Sequence, residues 1–204
     1  MKKIDFKKTL KEFYNPPRKP VIVDVPELQF LMIDGKGYPR TSQEYQDAMQ
    51  ALYPVAYTLK FMLKKAGIID ATVMPLEGLW WAEDMDVFTI SSKKDDWLWT
   101  SMIMQPSEVI MEHYGKAIET VEQKKNPAAL SRMRLESYRE GPSVQIMHIG
   151  PYSEEGPIIE AIHQYAFDQG YELRGKHHEI YLSDPRRTSP EKFRTVIRQP
   201  ISKK

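Results

Sequence analysis

Two periodicities run along this chain. Between Glu179 and Leu182, in "HHEIYLSDP", polar and apolar side chains alternate: Ile180 and Leu182 point one way, Glu179 and Tyr181 the other. Between Ser153 and Gln169 the apolar positions Ile158, Ile159, Ile162 and Ala166 recur at helical spacing, and Gly170 stops the run. The same tests predict a short helix over Ile4–Tyr14, ended by Asn15-Pro16-Pro17, and strands at Val21–Val23 and Gln29–Asp34. A long helix follows, capped by Thr41 or Ser42, kinked at Pro54 and stopped by Gly67. Two strands lie in "ATVMPLEGLWWAED" and "DWLWTSMIMQP", joined by the polar loop "SSKKDD". A helix over Ser107–Lys125, further helical turns over Ala128–Leu135, and strands at Val144–Ile149, Glu179–Leu182 and Phe193–Arg198 complete the reading.

The order strand, helix, strand, strand occurs twice, and residues recur with it. "LQFLMIDGKGY" lies over "VQIMHIGPY", "LWWAED" over "EIYLSD", and "SMIMQP" over "TVIRQP". The predicted fold is α+β. Two duplicated strand-helix-strand-strand (SHS2) modules are related by a pseudo-twofold, forming an antiparallel curved sheet with helices outside and a ligand cleft on the concave face. The whole chain, 1–204, reads as one domain. Residues 1–20 are an N-terminal helix and linker, 21–106 the first module, 107–140 the connecting helices and 141–204 the second module.

If Ile180 and Leu182 pack on the helix against Ile158 and Ile162, then Glu179 and Tyr181 line the cleft. Trp81 and Leu79 would join them from the equivalent strand, with Trp80 facing the helix layer. Trp99, with Ser101 and Ile103 or the alternate set, falls near the same cleft. A mostly apolar pocket with a few placed polar groups suits a small molecule, and a carboxylate among aromatics suits a flat or cationic one.

Composition narrows the classes. The chain has 204 residues, 41% hydrophobic and 28% charged, with a net charge of +1, so no basic footprint points to nucleic acid or an anionic membrane. There is no cysteine, which removes disulfides and thiol chemistry and fits a reducing cytoplasm. No run has signal-peptide or membrane-spanning length. His177 and His178 are adjacent in a strand and diverge, so no metal is expected, and "DGKGY" lacks phosphate-loop spacing. Ser153 reads as a helix cap, and His163 as a packed residue beside an apolar stripe.

The stretch from "GPSVQIMHIGPY" through Gly170-Tyr171 and "HHEIYLSDP" to "TVIRQPI" resembles the GyrI-like small-molecule-binding domain, and the first half resembles its degenerate partner module. The resemblance implies a ligand cleft in which Glu179 answers cationic ligands. It also implies one of two activities: binding of xenobiotics, or, as in an aromatic-caged subfamily, hydrolysis of the strained cyclopropane of DNA-alkylating natural products. The expected ligand-binding residues are Glu179, Tyr181, Trp81, Trp99 and Leu79, with Glu179 and Tyr181 catalytic if the protein is an enzyme. No cofactor, membrane or direct nucleic-acid partner is expected, since the segment before Val21 is too short for a helix-turn-helix. A protein partner is left open by the sequence but not indicated.

Overall fold

The computed structural model describes residues 2–82 and 96–204. It is an α+β fold with antiparallel strand pairing, and the chain divides into two compact units. In order, the elements are α1 (Phe6–Thr9), α2 (Lys11–Tyr14), β1 (Val21–Lys36), α3 (Gln43–Lys65), β2 (Leu76–Trp81), β3 (Leu98–Gln105), α4 (Met111–Lys125), β4 (Arg134–Ile149), α5 (Gly156–Asp168), β5 (Tyr171–Leu173), β6 (His177–Tyr181) and β7 (Arg194–Lys203). The predicted N-terminal helix is two short turns. The two strands expected between Val21 and Asp34 are one, because Pro26 interrupts no helix there and is tolerated in extended backbone. The further helical turns are a single 3₁₀ turn at Leu130–Arg132, and β4 begins at Arg134 rather than Val144. Most of the predicted "SSKKDD" loop lies outside the described residues.

The first unit comprises residues 1–6, 28–74 and 80–138. Here β1 pairs with β3 from Gln29↔Gln105 to Lys36↔Leu98. Ser42 caps α3 by accepting from the Tyr45 amide at 3.3 Å, and the helix runs through Pro54. Its buried face is Ala48, Ala51, Leu52, Val55, Ala56, Leu59 and Leu63, the spacing of one stripe. Opposite Gly35 on the ladder lies Trp99, whose ring fills the space a side chain would take; a Cβ on Gly35 would sit 2.2 Å from it.

The second unit comprises residues 7–27, 75–79 and 139–204. Its β7 pairs antiparallel with β4, β6 and β5. On one face of these strands Ile162 and Ala166 of α5 pack against Val144, Ile146, Ile197 and Ile201. The register decides which side of β6 meets this helix. Glu179 lies opposite Ile197 and Tyr181 opposite Thr195, while Ile180 lies opposite Val196 and His178 opposite Arg198. Directly opposed residues share a face. Glu179 and Tyr181 are therefore on the α5 side, and Ile180 is on the far side. This reverses the expectation that the apolar pair packs on the helix, and half-buried Leu182 does not supply the second apolar anchor. The expectation failed because the far side is buried too, so apolarity does not tell the faces apart.

What buries the far side is a closed set of charges. His178 is 1% exposed, with Nδ1 2.9 Å from Glu140 Oε1 and Nε2 3.1 Å from Glu77 Oε2. Carboxylates only accept, so both ring nitrogens donate and His178 is an imidazolium. Arg198 donates to Glu140 at 2.8 Å, to Gln145 and to the Phe13 carbonyl; Tyr14 donates to Glu77 at 2.7 Å. Two cations thus balance two anions. Burial alone would lower the His178 pKa, but the Glu140 charge and the bonds to Glu140 and Glu77 outweigh it and raise it to about 9. Burial alone would raise Glu140; His178 and Arg198 outweigh it and hold it at about 2.

A folded-state pKa raised above 6.5 means that the His178 contribution is whole below about 6.5 and is lost as pH rises through about 9. Replacing His178 by Gln should cost about 3–5 kcal/mol near neutral pH, because it leaves carboxylates buried with too few partners. Urea titrations across that pH range should also show a shallower alkaline decline than the wild type; a parallel decline would contradict the network. Separately, Gly35→Ala should destabilise by about 1–3 kcal/mol through overpacking on Trp99. Combining it with Trp99→Leu should cost less than the sum of the two single changes in the same titration.

Candidate functional site

The α5 side of β6 gathers titratable side chains. Tyr181 donates its hydroxyl to Glu179 Oε2 at 2.6 Å, and His177 Nε2 stands 3.4 Å from Glu179 Oε1. These three alternate along one strand, so they share its face. The Glu179 side chain is 16% exposed, so it is shielded yet reachable.

The neighbouring wall comes from the "IGPY" turn. Gly150 takes φ +147°, and a Cβ there would also press on His148 and Glu154 at 3.2 Å. The Gly150 amide bonds to the Phe193 carbonyl at 3.0 Å, and His148 Nε2 lies 3.2 Å from the Pro151 carbonyl. The turn so fixed delivers Tyr152, which stands edge-on to Tyr181 at 5.8 Å and tilted against Phe193 at 5.2 Å. The Ser153 hydroxyl does not cap the helix: Ser153 lies in the 3₁₀ turn Tyr152–Glu154, and Glu155 occupies the N-cap with no side-chain cap bond.

Glu155 was not anticipated. It is 5% exposed, and its pKa is raised to about 9 by burial and by the charge of Glu179, with the Thr195 hydroxyl working the other way. The signal was present in the sequence: the α5 stripe of Ile158, Ile162 and Ala166, extended one turn back, lands on residue 155. Thr195, Tyr152 and Phe193 also escaped the sequence reading, since only the β6–β7 register and the turn bring them here. His163, half-buried on α5, has its pKa lowered by burial and by His177, with Gln199 opposing. Among the described residues no group of three or more His, Asp or Glu is placed to hold a metal ion.

The other expected site residues lie elsewhere. Leu79 is 3% exposed and shares its strand face with Glu77, which meets His178; it stands on the far side of the sheet from Glu179. Its expected place beside Glu179 is corrected accordingly. Trp99, in the first unit, has no exposed surface: it bonds to the Gly37 carbonyl at 3.2 Å and meets Tyr45 edge-on at 5.1 Å. It therefore stands as a packed residue rather than an open pocket wall. Trp80 stacks with Tyr45 of α3, on the helix layer as expected, and Trp81, half-buried, points the opposite way along β2. In that unit Trp80 and Trp97 stand at 6.0 Å and Trp97 and Tyr38 at 5.8 Å, both edge-on.

This geometry belongs to a recognised class. The GyrI-like small-molecule-binding domain matches residues 18–202, and the chain belongs to that family. Its fold is similar to an uncharacterized conserved protein from Listeria innocua, 45% identical, with a TM-score of 0.91 and coverage of 98% of this chain and 100% of that one. It is similar too to a hydrolase from Listeria innocua, 44% identical, with a TM-score of 0.86 and the same coverage. The C-terminal domain of EcmrR, 12% identical over 91% of this chain and 98% of that one, shares the fold at a TM-score of 0.56. A search of curated proteins finds no match. Among the described residues no helix is long and apolar enough to cross a membrane.

Because the folded-state pKa of Glu155 is raised, the stability it contributes is whole below about 4.5 and is lost as pH rises through about 9. Glu155→Gln removes that loss. The variant should melt above the wild type at about pH 8, with the gap closing toward about pH 4.5. A variant less stable than the wild type throughout would contradict the assignment.

Proposed function

We propose that the protein binds flat, reactive aromatic molecules and adds water to them, protecting the cell from xenobiotics in the cytoplasm. The observation that carries this reading is the Tyr181–Glu179 pair at 2.6 Å, with Tyr152 edge-on to Tyr181. A shielded carboxylate oriented by a phenol is the arrangement a general base needs. The likeness to a hydrolase at 44% identity over the whole chain supports it further. The internal repeat belongs to the same reading: we match β1, α3, β2, β3 with β4, α5, β6, β7 and take the short β5 as an insertion.

The bond we infer to be opened is a cyclopropane conjugated to a carbonyl. Water oxygen bonds to the ring carbon, the strained carbon–carbon bond breaks, and its electron pair moves onto the carbonyl oxygen. Glu179 takes the proton that water loses and passes it to that oxygen, so the sum is substrate plus water. Tyr181, bonded to Glu179, orients it. Tyr152 and Tyr181 supply aromatic surface for a flat substrate.

A second reading, binding without turnover, is favoured by the family's small-molecule-binding character. In this reading Glu179 holds a cationic or hydrophobic ligand and no bond breaks.

Incubating excess cyclopropane-containing alkylator with the protein and following it by mass spectrometry separates the two. Many turnovers are expected of the wild type and none above background of Glu179→Gln, which should still quench its tryptophan fluorescence on binding a neutral ligand. A general base is worth about 100- to 10,000-fold. Stoichiometric binding by the wild type would leave the second reading, and undiminished turnover by the variant would remove Glu179 as base.

A further inference from the structure

At the head of α5 a carboxyl stands where the helix pattern calls for an apolar side chain. Ile158, Ile159, Ile162 and Ala166 belong to the cluster that packs on Val144, Ile146, Ile197 and Ile201. Glu155 is the first position of that stripe. The stripe lands on Ile197, which lies opposite Glu179; one turn earlier it reaches Thr195 and the Glu179–Tyr181 pair. Among the described residues Glu155 Oε1 is buried without a partner that meets hydrogen-bond geometry, while the Thr195 hydroxyl lies beside the Glu155 carboxyl. Among the described residues, the titratable groups facing Glu155 are His177, Glu179 and Tyr181 from β6, Glu154 from the preceding turn, and His163 further along α5. Among the described residues neither Glu155 nor Glu179 is ion-paired to a Lys or Arg, and His177 is the sole basic group within 4.0 Å of either.

Two carboxylates cannot both stay ionised in such a place, since a buried charge needs a partner and a like charge opposes it. The deeper of the two should keep the proton. Glu155 is the deeper, and Glu179, held by Tyr181 and near His177, is the better supported as an anion.

We propose that Glu155 is a positioning residue for Glu179: it stays a neutral carboxylic acid in the resting protein, so that the two glutamates carry one proton and one negative charge between them. Its catalytic consequence rests on the hydrolase reading. A neutral Glu155 leaves the negative charge of the pair on Glu179 and keeps it ready to take the proton of water. The pair then titrates as a unit, and its upper step belongs to the loss of the shared proton.

Difference infrared spectroscopy on the whole protein tests this without any substrate. A protonated-carboxyl C=O band should be present at neutral pH, vanish as pH rises through about 9, and be absent from Glu155→Gln. In Glu179→Gln the band should remain but titrate at lower pH, because the neighbouring charge is gone; this second variant decides the matter if Glu155→Gln fails to fold. No such band in the wild type, its persistence in Glu155→Gln, or an unmoved titration in Glu179→Gln would overturn the proposal. If the protein turns over substrate, kcat of the wild type should show an alkaline limb at that same step, lost in Glu155→Gln with KM unchanged. A limb that survives the substitution would remove the catalytic consequence, and the spectra would still judge the shared proton.

Discussion

The imidazolium of His178, clamped between Glu77 and Glu140, is the constraint on which the second unit is built. It joins residues 101 positions apart in sequence, and through Arg198 and Gln145 it reaches the N-terminal segment at the carbonyls of Phe13 and Glu12. Such a set is costly to desolvate and gains little net stability over an apolar core, but it is very costly to break at one member. Its effect on the fold is to fix β6. With His178 pinned on one side, alternation sends Glu179 and Tyr181 to the other, and no one-residue slip is tolerated.

The two faces of this short strand therefore do different work. On one, charges are matched and saturated: each His178 nitrogen and each carboxylate has its partner. On the other, among the described residues, the buried Glu155 carboxyl lacks a cation and shares its surroundings with Glu179. Saturated networks hold structure; under-satisfied ones, where pKa values are driven apart, are where acid and base chemistry is found. The Gly150 turn and the N-cap of α5 converge on that second face, bringing Tyr152 and Glu155 to it.

Much of this was readable in the chain. The apolar stripe of α5, the strand at Glu179–Leu182 and the Gly-Pro-Tyr turn are local patterns, and the structure keeps them. The pairing of Glu179 with Tyr181 follows from a spacing of two in a strand. The facing of β6 was not readable, because Ile180 packs on a side closed by partners from Tyr14, Glu77 and Glu140, and no local window sees them. Leu79 followed the same error to the wrong face. Trp99 looked like a pocket wall from its place in the closing strand of the first module; its ladder partner Gly35, which no local window sees, leaves the space that swallows the ring. Glu155 was hidden by the habit of starting a helix stripe at its first apolar residue.

The central claim is that the Glu179–Tyr181 face of β6 meets the ligand while the His178 face only supports it. Side-chain NMR during titration with a flat aromatic ligand tests this most directly. The account predicts that the ring signals of Tyr152 and Tyr181 and the carboxyl signal of Glu179 move, while the His178 imidazolium signal stays where it was. Movement of His178 with Tyr152, Tyr181 and Glu179 unmoved would contradict it.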